Sequence, residues 1–142
     1  MGHRLRIAAV ALTLGGLVLS SCSNTETVPT TTLVGRLTTY VRAITELKTY
    51  LVDWQRSGPS SASNEYLVSS QQGGKVKLLS GKVTSYHPYS WTSTNKFTLL
   101  VGLDLHFSGS PGAWNEGDND RYVIFVRSKV KHHYLMEFNT GP

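Results

Sequence analysis

The hydrophobic period of this chain changes once along its length, from helical spacing to strict alternation, and that change restricts the fold more than any other feature. Leu33, Leu37, Tyr40, Val41, Ile44, Leu47, Leu51 and Trp54 recur at steps of three and four, while Arg36, Arg42, Glu46, Lys48 and Asp53 take the other side. The spacing predicts one amphipathic helix over residues 33–56. Ser57-Gly58-Pro59 stops it, because glycine accepts a left-handed cap and proline cannot continue the hydrogen-bond ladder. Pro59 also suits the first turn of a second, shorter helix over 60–68, which would turn Tyr66, Leu67 and Val68 inward.

After Gln71-Gln72-Gly73-Gly74 the alternation begins. Val76, Leu78, Ser80, Lys82, Thr84 and Tyr86 alternate with Lys77, Leu79, Gly81 and Val83, which predicts a strand with a bend at Gly81. Residues 87–95 read as a connecting loop. Over 96–107, Leu99, Val101, Leu103, Leu105 and Phe107 share one face, and Thr98, Gly102, Asp104 and His106 share the other. A polar loop over 108–120 leads to an apolar strand centred on Tyr122-Val123-Ile124-Phe125-Val126, and a last strand is expected over 132–138. Helices first and strands after them indicate an α+β fold, an amphipathic helix and a short second helix packed on a curved four-stranded antiparallel sheet. Leu99, Val101, Leu103, Leu105 and Phe107, with Leu37 and Ile44 of the helix, are expected to fill the space between the layers.

The N-terminus carries a different signal. Two arginines within residues 1–6 precede an uncharged apolar stretch over 7–19, and Leu19-Ser20-Ser21-Cys22 follows. That stretch is shorter than the ~20 residues of a membrane-spanning helix and closes on small side chains, as a cleavable leader does. The tetrad resembles the lipobox of bacterial prolipoproteins. The resemblance implies that residues 1–21 are removed and that Cys22 is acylated and becomes the mature N-terminus. The product would be held on the extracytoplasmic face of the cell membrane. Residues 22–32, poor in large apolar groups, would tether the domain over 33–142. A single cysteine leaves no internal disulfide. Loss of Arg4 and Arg6 lowers Lys plus Arg from 14 to 12 against nine acids, a net charge of +3. Scattered basic residues without an arginine-rich run or a recognisable motif argue against nucleic acid as a partner.

The helix, the Glu-Tyr-Leu-Val segment at 65–68 and the Trp-Asn-Glu-Gly-Asp-Asn-Asp-Arg-Tyr-Val run at 114–123 together resemble the NTF2-like (cystatin-like, cone-shaped) domains of actinobacterial lipoproteins. That family holds enzymes, ligand binders and assembly subunits, so the resemblance implies a fold and leaves the activity open. Among residues that could carry chemistry, Asp104 and His106 project from one strand face as an acid and a base, yet on the side away from the cone. His132-His133, read as strand neighbours, would point to opposite faces and could not chelate one ion. Residues 115–120 offer oxygen ligands without the spacing of a calcium loop. Such Asx-rich loops serve as turns. Tyr86, Tyr89, Trp91 and Trp114, in or beside loops, are the candidate contact surface. No nucleophile elbow, phosphate-binding glycine loop or dinucleotide fingerprint is present, and no metal or cofactor is expected. The expected function is a lipid-anchored interaction module that docks an envelope protein or a second copy of itself. It would be accessory to an envelope assembly of conjugation, secretion or prophage-linked exclusion. The alternative is a small-ligand binder or an isomerase- or dehydratase-like enzyme using the cone.

Overall fold

The computed structural model describes residues 30–142. The long helical period forms α1, Thr30–Ser57, and Gly58 ends it with φ 86° while its N–H donates to the Trp54 carbonyl at 3.1 Å. Pro59 then opens α2, Pro59–Tyr66, where its missing N–H costs nothing. A 3₁₀ turn, Ser70–Gln72, precedes four antiparallel strands: β1 Leu78–Ser93, β2 Lys96–Phe107, β3 Gly117–Arg127 and β4 Tyr134–Thr140. Their order in the sheet is β1-β2-β3-β4, an open meander in which each strand pairs with its neighbour in sequence. Both helices cover one face of that sheet, so the α+β architecture follows the order of the periods.

The core lies between α1 and the inner face. Leu47, Tyr50 and Trp54 meet Phe97, Leu99, Val101, Leu103, Leu105, Val123, Phe125 and Met136, all at 0–1% exposure. Aromatic rings close it at both ends, Tyr40 against Trp91 and Phe97, and Trp54 against Phe107 and Trp114. The Trp54 indole N–H donates to the Val76 carbonyl at 2.9 Å, which pins the helix to the segment entering β1. Gly74 is required there, since a Cβ on it would meet Trp54 Cζ2 at 1.8 Å.

The structure departs from the sequence expectations in five places. Residues 87–93 are strand, and only Thr94-Asn95 turn, so β1 and β2 form one long hairpin. Pro88 is tolerated because β1 is an edge strand and the ladder slips between Pro88 and Ser90. Leu37 is exposed, because the first turns of α1 extend past the end of the sheet, and Val68 is exposed beyond the end of α2. β3 starts at Gly117, so Asp118 and Asp120 are strand residues opposite Asp104 and Gly102. His132 and His133 precede β4 in a turn, with His132 at φ 61°, and the argument from strand alternation does not apply to them.

Candidate binding surface

The four aromatics singled out from the sequence do not form one surface. Tyr89 is 65% exposed and packs its ring 4.5 Å from that of Tyr122 on the outer, helix-free face of the sheet. Tyr86 lines a shallow hollow between α1 and the edge strand, beside Ile44, Lys48 and His87. Trp91 is half-buried near the hairpin tip, stacked on Phe97 and covered by the Arg36 guanidinium 5.0 Å from its ring. Trp114 belongs to the core: its ring touches Phe138 and Trp54, and it is 6% exposed. Arg121 seals it from outside, stacked at 5.1 Å and donating to the Ala113 carbonyl. A tryptophan in a polar loop reads as exposed until Trp54 and Phe138, far along the chain, are packed against it. Cys22 lies outside the described residues.

The outer face itself carries a signal that alternation on one side hides. Tyr122-Val123-Ile124-Phe125-Val126 is apolar in both phases, as is Leu99-Leu100-Val101, and strands of that kind are usually covered on both faces. Val123 and Phe125 go inward, while Tyr122, Ile124 and Val126 emerge outward next to Leu100 and Leu135, all partly exposed. Among the described residues no element covers them. Sequence reading had the residues and assigned them to a strand without following the second phase.

Asp104 and His106 lie on the outer face too, near its other end. His106 Nε2 is 3.2 Å from Asp104 Oδ1, and Nδ1 is 2.7 Å from Glu116 Oε1. Lys82 Nζ meets Asp104 Oδ2 at 3.1 Å, and Glu116 Oε2 accepts the Phe107 N–H at 3.0 Å. Both ring nitrogens therefore face carboxylates, and neither is left free toward a substrate. The cluster ties the β2–β3 connection to the sheet. Asn119, 3% exposed, does the same within the Asx-rich loop, accepting from the Asn115 N–H and donating to the Asn115 and Gly117 carbonyls. His133 sits on the Tyr66 ring and beside Glu65, away from these groups. Among the described residues no group of three His, Cys, Asp or Glu side chains could hold a metal ion.

Two polar groups interrupt the core. The Tyr50 and Ser63 hydroxyls are buried facing each other with no other partner, and burial raises the Tyr50 phenol far above its ordinary pKa, an effect the Ser63 hydroxyl partly offsets. The space between α1 and the sheet is otherwise packed with side chains. A surface cleft of about 410 Å³ lies at the far end of the sheet, lined by Trp114, Phe138, Lys75, Arg121, Gln72 and Asn139. No family model, curated protein or solved structure matches this chain.

Proposed function

We propose that this chain is a lipid-anchored, extracytoplasmic interaction module with an NTF2-like domain, docking a protein of the cell envelope or a second copy of itself through the outer face of its sheet. The observation that carries the reading is that face: Leu100, Tyr122, Ile124, Val126 and Leu135 stand together, partly exposed, on the side that neither helix covers. Apolar and aromatic side chains grouped in this way supply most of the energy of protein interfaces. The anchoring half rests on Leu19-Ser20-Ser21-Cys22 and its charged, apolar approach. An accessory role in conjugation, secretion or prophage-linked exclusion fits a small module kept at the membrane.

A photo-crosslinking amino acid at Ile124 in cells producing the full chain tests the docking half. A discrete adduct from position 124, missing when the crosslinker stands at Ser110, is expected. Identical patterns from both positions would sink it. Metabolic labelling with an alkyne fatty acid tests the anchor, which should mark the wild type and leave Cys22→Ala unmarked.

The cleft beside Trp114 favours a second reading, a binder of a small anionic ligand. Lys75 and Arg121 supply the charge, and Gln72 and Asn139 supply amides that can fix orientation.

A further inference from the structure

The first turns of α1 are apolar on a side that no element covers among the described residues. Leu33, Val34, Leu37 and Val41 follow one another at steps of one, three and four, each about half exposed; Leu33 and Leu37 continue the line of Ile44 and Leu51 past the end of the sheet, and Val34 and Val41 lie beside it. The only charged groups on the helix between residues 30 and 45 are Arg36 and Arg42. Around this end of the molecule Lys96 and Arg127 add two more cations, close to the hollow that Arg42, Thr38, Thr39, Asn95 and Arg127 line. Glu46 is the acid among them, 3.4 Å from Arg42 and 3.9 Å from Arg127, so the end stays net positive. The acids Asp104, Glu116, Asp118 and Asp120 gather at the opposite end of the sheet.

We infer that this stripe lies in the interface of an anionic phospholipid membrane, with α1 starting along the bilayer surface and the exposed cations at this end of the molecule facing the lipid phosphates. The inference rests on the proposed acylation of Cys22. Thr30 lies eight residues after Cys22, a reach of at most about 29 Å even when fully extended. The anchor therefore keeps the start of α1 next to the lipid, where half-exposed leucines and valines are removed from water and the cations meet negative headgroups. A protein partner would need no such match between the stripe, the sign of the charge and the place where the tether joins.

The mature lipoprotein, its only native thiol consumed by acylation, is produced with Leu37→Cys or Ser110→Cys and labelled with an environment-sensitive fluorophore. It is then reconstituted in phosphatidylcholine vesicles with or without phosphatidylglycerol. A quencher carried on the lipid chains should reach the probe at position 37 and miss the one at 110, and phosphatidylglycerol should increase the effect. Arg42→Gln and Lys96→Gln should each lower the ratio of docked to undocked helix by roughly five-fold, the effect of one cation near such a surface. A probe at 37 that no lipid quencher reaches, in protein that still floats with the vesicles, overturns the inference and leaves the anchor standing. A probe there that is blue-shifted yet unquenched also overturns it, since protein then covers the stripe. A free Cys22 thiol in the purified protein overturns the anchor, and with it the basis of the inference.

Discussion

Glu46 joins three parts of the molecule through one carboxylate. Its Oε2 accepts the N–H of Tyr134 at the start of β4, and its Oε1 faces the guanidinium groups of Arg42 and Arg127. The side chain is only 16% exposed, so water replaces it poorly. Glu46→Leu would leave that N–H without an acceptor and a half-buried Arg127 without its counter-ion, a loss of about 1–3 kcal/mol. Glu46→Gln keeps an acceptor and should cost less, and urea melts of the two variants give the order directly. In the sequence Glu46 is one polar residue on a solvated helix face. Its role depends on Tyr134, which lies far along the chain, so helical periodicity has no means of revealing it. Trp114 is obscured for the same reason, since its burial comes from Trp54 and Phe138. The outward direction of Asp104 and His106, by contrast, was legible because β2 alternates cleanly and a register has only two choices of face.

At the scale of elements, boundaries set by backbone chemistry were readable and those set by pairing were not. Gly58 and Pro59 mark the break between α1 and α2 wherever the rest of the chain goes. Residues 87–93 looked like a loop because Pro88 and the surrounding polar groups break propensity, yet twelve residues of β2 offer a partner along the whole length. The break at Gly58 also yields a test with two signs. Its φ of 86° and ψ of 172° belong to a region almost confined to glycine, and no atom lies within 4 Å of the position a Cβ would take. Gly58→Ala should therefore destabilise through backbone strain alone, by about 1–3 kcal/mol. Gly35 also has open space around it but sits in helical backbone, so Gly35→Ala should stabilise by up to about 1 kcal/mol. Denaturant midpoints should move in opposite directions with unchanged slopes. Equal shifts of the same sign would mean that α1 does not end where Gly58 ends it.

Across the whole molecule, the seam between α1, α2 and the sheet is lined with phenols, and that composition sets its response to alkali. Burial raises the pKa of Tyr50, Tyr40 and Tyr134, and raises Tyr66 to about 12 with the help of the nearby Asp53, Glu65 and Glu46 carboxylates. In the unfolded chain these groups ionise near pH 10. Below that pH both states hold the protons and the phenols contribute no pH dependence. Above it the unfolded state releases protons that the native state keeps, so stability falls as pH rises, through pH 12 in the case of Tyr66. Urea midpoints should thus be flat from neutral pH to about 9 and drop steeply beyond 10. Lysine deprotonation also begins there, but Lys82 and Lys131 form only partly exposed ion pairs whose loss is small. Tyr50→Phe separates the two causes. It removes a buried hydroxyl whose one polar neighbour is the Ser63 hydroxyl, itself poorly paired, so the fold should lose little at neutral pH, and the alkaline slope should become shallower. An unchanged slope in that variant would leave the Tyr50 phenol without a part in the alkaline loss, with Tyr66, Tyr40 and Tyr134 still to carry it.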